Sequence, residues 1–319
     1  MIRLLVLALA ALGQTAADPD AALPRILWRE PPRMTEREWT CGPGGCDRMP
    51  AAPFRFLKED TTGSSPKLTV KDAHGRNWSV KFGAEVIPEC FAARFITALG
   101  YLGEPAYYVG TGRIEGAQNL KRVRRVVAKD GTFAKARFEL RGERDLEFIE
   151  GRAWSWTDNP FRGTHELDGL RIVMMLLSNW DAKDARDGDE SNTGVFRWTD
   201  GERKVLAFGV FDWGASLGTW GGAVRRDQSD CAGYTKDTPD FVKGVKPDGV
   251  SWGFSGKHTQ SVTAGISVDD VRWLLPYLLR ITPGQLRAGL KASGATDRQA
   301  GCWSGAIQNR IRQLQAVAR

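Results

Sequence analysis

Two short apolar runs, 194–198 and 205–211, flank Thr199-Asp-Gly-Glu-Arg203. An Asp-Gly turn between β-rich runs predicts a hairpin. Residues just outside its two strands meet at the open end, so Asn192 and Asp212 are expected to be neighbours. Upstream, 166–178 is apolar on nearly every side and long enough for a buried helix, which would deliver Asp181 and Lys183 to the same end. Two acids and an amide therefore converge, each at the end of a rigid element. Hard divalent cations such as magnesium take this oxygen-rich kind of ligand set.

The same patterning predicts strands over 67–71 and 77–82, joined by a turn at 72–76. Trp78, Val80 and Phe82 fall on one face, Ser79 and Lys81 on the other. The polar loop before this hairpin carries Gly63, Ser64, Ser65 and Lys67. Such a loop can offer N–H groups and hydroxyls to phosphate, with Lys81 as a fixed cation. Residues 88–100 read as a helix, with Pro88 in the first turn, Gly100 just past the end, and Phe91, Phe95, Ile96 and Leu99 on its apolar face. Glu85 and Glu89 lie at its start, where they favour the positive end of the helix dipole. The functional reading is that one of them pairs with Lys81 and aims it. Glu89 is the choice because it is on the helix itself, and Glu85 stays as the alternative.

Further strands are expected over 104–109 and 134–140, with the basic run 121–129 between them as a solvated face. Residues 148–151 form a connector, and Trp154 and Trp156 supply packing before the central helix. The segment 215–256, rich in glycine, aromatics and charge, has the character of a long loop over a site. Helices over 267–279, 282–292 and 306–317 close the chain, the last with Ile307, Ile311, Leu314 and Val317 as its stripe.

Composition narrows the setting. Arg3 followed by the apolar run 4–12 and small residues at 15–17 predicts a secretory signal peptide over 1–17. The run is too short for a membrane span, which takes about 20 residues in a helix. The expected product is exported, periplasmic or extracellular, without stable membrane insertion. Residues 18–50 read as an N-terminal extension, 51–150 as a small lobe and 151–319 as a larger one. A net charge of +7 favours anionic partners such as nucleotides, and no nucleic acid is expected.

Five cysteines in an exported chain point to disulfides. Cys41 with Cys46 and Cys231 with Cys302 are the expected pairs, leaving Cys90 as a buried hydrophobe. His74, His165 and His258 are scattered without zinc-ligand spacing. The acidic insertion around Asp184, Asp187, Asp189 and Glu190 does not fit a calcium loop, because placing Gly188 sixth puts Lys183 first and Ala185 third.

The order polar loop, lysine on a strand, glutamate on the next helix, connector, buried helix, Asp181, Lys183, Asn192, hairpin and Asp212-Trp-Gly214 resembles the protein-kinase-like fold. Within it the chain looks most like the atypical branch of HipA-type and phosphatidylinositol kinases. Gly63-Ser-Ser-Pro-Lys67 and the hairpin ending Val80-Lys81-Phe82 are similar to the HipA-type nucleotide loop. Asn179-Trp-Asp-Ala-Lys-Asp184 and Phe211-Asp-Trp-Gly214 are similar to motifs of a group of exported bacterial proteins with this fold.

The resemblance implies an α+β, two-lobed architecture, with a small β-rich lobe carrying one helix and a larger, mainly helical lobe. It implies ATP and magnesium (or manganese), and a protein, sugar or lipid hydroxyl as acceptor. Lys81 would hold the α- and β-phosphates with Glu89 behind it, and the Gly63–Lys67 loop would cover the nucleotide. Asp181 would orient or deprotonate the hydroxyl, Lys183 would neutralise charge on the moving group, and Asn192 and Asp212 would bind the metal. Asp187 stands five residues before Asn192, the spacing of the kinase pattern, and Asp181 stands eleven before it. Asp181 is preferred because it directly ends the buried helix. A catalytically silent binding module and an AMP transferase are the alternatives on the same scaffold.

Overall fold

The computed structural model describes residues 18–319 apart from 32, 64, 143–144 and 221–225, and the side chains of Asp200 and Arg226 are likewise left undescribed. The expected signal peptide over 1–17 and the nucleotide-loop residue Ser64 lie outside the described residues.

Period-two alternation builds the small lobe. Strands β2 (Phe54–Asp60), β3 (Lys67–Lys71), β4 (Asn77–Phe82), β5 (Ala106–Glu115) and β6 (Thr132–Arg141) close into a barrel in the order β2-β3-β4-β6-β5. Parallel pairing of Phe54 with Ile114 shuts it. Leu68, Val70, Trp78, Val80, Phe82, Phe138 and Leu140 fill the interior. The outer strands run further than the sequence predicts, because closing the barrel gives their extra residues hydrogen-bond partners.

Helix α2 (Val86–Ala98) lies on the barrel wall and is buried on almost every side. Phe91, Phe95, Ile96 and Leu99 belong to the core of the larger lobe, so this helix joins the two bodies. Each such side chain contributes about 1.5–3 kcal/mol when fully buried.

The larger lobe is organised on α3 (His165–Leu176), whose start is capped by the Thr164 hydroxyl, which accepts from the Leu167 N–H. Every residue from Leu167 to Leu176 is buried, which explains a pattern that is apolar all round. A sheet in the order β1-β9-β8-β7 packs beside it, made of β1 (Arg25–Ile26), β7 (Leu146–Phe148), β8 (Thr193–Asp200) and β9 (Arg203–Val210). The predicted hairpin is β8–β9, with Thr193 opposite Val210. The fold is therefore α+β and two-lobed, with the kinase-like element order.

The segment expected to be one irregular loop, 215–256, contains regular pieces. These are a short ladder of β10 (Thr219–Trp220) with β11 (Arg226–Asp227), helix α4 (Cys231–Asp237), and a hairpin of β12 (Val242–Lys246) with β13 (Gly249–Trp252). Each is too short to show periodicity. Helices α5 (Thr259–Thr263), α6 (Val268–Leu279), α7 (Pro283–Ala292) and α8 (Asp297–Ala318) follow. α8 begins well before the predicted 306, at a capping box between Thr296 and Gln299. Gly301 and Gly305 dilute its apolar stripe there, which hides the first turns from a periodicity reading.

Both predicted cysteine pairs, Cys41 with Cys46 and Cys231 with Cys302, are at disulfide distance, and Cys90 is free and buried. Burial pushes the Cys90 thiol up to about 12, so it acts as an apolar filler. Among the described residues, no helix is long and apolar enough to cross a membrane.

The chain before the barrel touches both lobes. Ile26 of β1 pairs in parallel with Ala207, and the Trp28 indole donates to the Leu99 carbonyl at the end of α2 while packing on Trp273 and Tyr277. Helix α1 (Glu36–Cys41) lies on α7. A Cβ at Gly289 would stand 2.7 Å from the Trp39 ring, so glycine there lets the two helices approach. Arg94 of α2 ties this segment down by donating to the carbonyls of Trp39 at 2.9 Å and Thr40 at 3.2 Å.

Candidate active site

Lys81 sits on the outer face of β4, because the apolar alternation sends Val80 and Phe82 inward. Only 9% of it is exposed. Its ammonium contacts Glu89 in the first turn of α2, stands 2.9 Å from Glu85 Oε2, and stands 3.7 Å from Asp212 Oδ2. Both glutamates that the sequence left in competition therefore meet the lysine. Burial alone would lower its pKa, but Glu89, then Asp212 and Glu85, more than offset this and hold it well above the usual lysine value. It stays charged.

Asp212 follows β9 directly. The Phe211 N–H donates to the Asn192 carbonyl at 3.0 Å, so the two residues are neighbours at the hairpin's open end. Asp212 Oδ1 accepts from the Gly214 N–H at 2.9 Å. Burial pushes its carboxyl up, but Lys81 and the Gly214 N–H outweigh that and hold it below the usual range.

Asp181 reaches the same place from α3. After Leu177 the chain turns through Ser178 in the left-handed region (φ 52°), and the buried Asn179 amide donates to the Asp212 carbonyl at 3.1 Å. Asn192 Nδ2 then donates to the Asp181 carbonyl at 2.7 Å and to its Oδ2 at 3.2 Å. Lys183 Nζ is 3.7 Å from Asp181 Oδ2 and 2.9 Å from Glu190 Oε2. Burial raises Asp181 against the opposing pull of Lys183 and Asn192.

The polar loop lies at the edge of this group. Lys67 pairs directly across from Lys81 in the β3–β4 ladder, and its ammonium meets Asp60 at 3.0 Å. Gly63 takes a positive φ of 67°, and its carbonyl accepts from the Arg122 guanidinium at 2.7 Å. Ser65 is half-buried beside it. The start of the basic run is therefore not a free solvated face. The N–H groups of Lys121, Arg122 and Val123 converge on the Glu59 carboxylate, and Arg122 clamps the loop.

A cavity of about 470 Å³ is lined by the chain neighbours of Asn192 and Asp212, not by those two residues themselves. Thr193 and Phe211 border it, with Phe148 of β7 and Glu104 and Arg141 of the small lobe. Its two phenylalanines pack edge to face on each other, with ring centroids 5.2 Å apart.

Asn192 and Asp212 fit a hard cation. Asn192 directs its amide nitrogen at Asp181, and the Asp212 side chain is 35% exposed, with Oδ1 on the Gly214 N–H and Oδ2 3.7 Å from Lys81 Nζ. Oxygen donors of this kind suit magnesium or manganese.

A second cluster, Asp184, Asp187 and His258, brings three ligand atoms within 4.8 Å. It does not fit a cation. Asp184 is fully buried, and its two oxygens already accept from Ser155 Oγ, the Trp156 N–H, and the backbone and guanidinium of Arg186. The cluster is instead a clamp on the loop after Asp181, with His258 Nε2 2.7 Å from Asp187 Oδ2. Burial would raise Asp184, but Arg186, Trp156 and Ser155 hold its carboxyl below the usual range.

A depressed carboxyl stabilises the fold above its unfolded pKa, near 3.9, and that contribution is lost as pH falls through the folded value. Asp184→Asn is expected to lose about 2–3 kcal/mol of stability at pH 7. The gap from the native chain should shrink as pH drops below about 4, a trend that urea midpoints at several pH values will check.

Sequence reading missed Arg137 and Glu139. Arg137 Nε lies 2.6 Å from Glu89 Oε2, while Arg137 also contacts Glu139, and Glu139 contacts Arg141. The signal was present as charge alternating with Phe138 and Leu140 along one strand. The partner across the sheet was not legible.

The site thus joins two lobes through a lysine–glutamate pair on barrel and helix and an acid–amide pair between helix and hairpin. No family model matches the chain, and no curated protein matches it. Among solved structures, the crystal structure of the Golgi casein kinase is similar at a TM-score of 0.39 and 10% identity, covering 84% of this chain and 73% of that one.

Proposed function

We propose that this chain is an exported, metal-dependent phosphotransferase of the HipA-type and phosphatidylinositol-kinase-like branch, moving a phosphoryl group from ATP to a protein, sugar or lipid hydroxyl. The convergence on Lys81 carries the reading: one buried ammonium touches the helix glutamate and lies 3.7 Å from Asp212, beside the Asp181–Asn192 pair. Phosphoryl transfer relies on positioning and charge neutralisation, which is what such a group supplies.

In this reading Lys81 binds the α- and β-phosphates, and Glu89 fixes its direction. The Gly63–Lys67 loop covers the polyphosphate. Asn192 and Asp212 hold magnesium or manganese, which neutralises phosphate charge when bound. Asp181 accepts the proton of the acceptor hydroxyl as that oxygen bonds to the γ-phosphorus and the bond to the β,γ-bridging oxygen breaks, releasing ADP. Lys183 faces the charge on the moving group. Export is supported by the cysteine pairs, which suit an oxidising compartment.

Thermal melting with magnesium and ATP tests the binding half. Saturating ligand at about 100 times its Kd should stabilise the native chain by about 2.7 kcal/mol, and Lys81→Met should remove the shift. An unchanged melting temperature in the native chain would refute the reading. A silent binding module is favoured by one observation, that three carboxylates already enclose Lys81. It predicts no turnover, with or without a shift, and AMP transfer would show as α-phosphate label on the acceptor.

A further inference from the structure

The alternation of β6 sends Phe138 and Leu140 into the barrel and leaves Arg137, Glu139 and Arg141 on the opposite face. Arg137 is 4% exposed and pairs in register directly across from Lys81. Glu89 divides its carboxylate between the two cations, giving Oε1 to Lys81 and Oε2 to Arg137, the latter at 2.6 Å. Beyond Arg137 the row continues through Glu139 and Arg141 to Glu104, with Arg141 standing 3.6 Å from Glu104 Oε1. Opposite charges thus alternate from the lysine to the wall of the cavity.

This arrangement solves a problem set by burial. Once Lys81 also contacts phosphate, it pairs less fully with a carboxylate that is itself 7% exposed. An anion buried that deeply and left unpaired is strongly unfavourable. We infer that Arg137 is a positioning residue for nucleotide binding: by holding Glu89 from behind, it keeps that carboxylate in place to aim Lys81 while the lysine's other N–H groups take the phosphate. The other charged groups that face Glu89, namely Glu85 and Asp212, are anions and cannot do this. Glu139 in turn holds the far end of the guanidinium.

The inference rests on the nucleotide-site reading, so the test separates the two. Binding of adenylyl imidodiphosphate with magnesium to the full mature chain is measured by calorimetry, with melting temperatures recorded alongside. Arg137→Met should weaken binding about tenfold or more, and Arg137→Lys should recover most of the loss. Should the methionine variant fold poorly, Arg137→Met with Glu139→Gln removes the cation together with its second carboxylate, and this pair should fold yet stay weakened. A solely structural Arg137 would lower the melting temperature and leave the affinity of the folded fraction unchanged. If Lys81→Met abolishes binding while Arg137→Met binds like the native chain, the role of Arg137 is refuted and the nucleotide site stands. If the native chain binds nothing, both fall together.

Discussion

Asparagine in place of Asp181 is expected to slow phosphoryl transfer about 10³-fold while changing nucleotide affinity little. The substitution keeps an oxygen where Asn192 Nδ2 donates at 3.2 Å, so the local geometry survives. What disappears is the group that takes the proton, together with the negative charge facing Lys183 at 3.7 Å. The lysine still has Glu190 and remains ordered. Release of inorganic phosphate from magnesium–ATP, with water as acceptor, provides a readout before any physiological acceptor is identified. A rate close to the native one would show that another group takes the proton. Because burial raises Asp181, the acid limb of the native rate profile should sit above the ordinary aspartate range.

Arg310→Met should give the largest loss of stability, about 4 kcal/mol, read as a shift of the urea midpoint. Arg310 is 2% exposed and lies in the middle of α8. Its guanidinium donates to the carbonyls of Met175 at 3.1 Å and Leu176 at 3.0 Å, and to Ser178 Oγ at 2.7 Å. It also donates to Thr238 Oγ1 at 3.1 Å and covers the Tyr234 ring at 3.8 Å. Methionine fills much of the space but removes a buried cation's whole set of donors, leaving the Met175 carbonyl to the Ser178 N–H and the Leu176 carbonyl to the Tyr234 hydroxyl. Those carbonyls precede the left-handed Ser178 that presents Asn179 and Asp181. The variant should therefore lose transfer activity at temperatures where it is still folded.

Local pattern was legible where an element is long or a turn is specific. The alternation around Trp78 placed Lys81 outside the barrel, and the Asp-Gly turn brought Asn192 beside Asp212. Continuous burial of α3 set Asp181 at the same end. Partners of charged side chains were not legible, because they depend on which strand lies across the sheet. Lys81 meets Glu85 as well as Glu89, and Arg137 joins Glu89 only through the β4–β6 register. His258 finds Asp187 across 71 residues of chain, a separation no spacing rule spans. Short elements within 215–256 were hidden by glycine and by their length.

Residues 26–39 finish their docking against elements made much later in the chain. Ile26 needs β9, Trp28 needs Trp273 and Tyr277, and Trp39 needs the notch at Gly289. Synthesis delivers these surfaces long after the segment itself, which has to wait, unpaired, until each has emerged. Contacts this distant in sequence make folding slow. A chain stalled anywhere before α7 would display a loose strand and several unburied tryptophans, a target for chaperones and proteases alike.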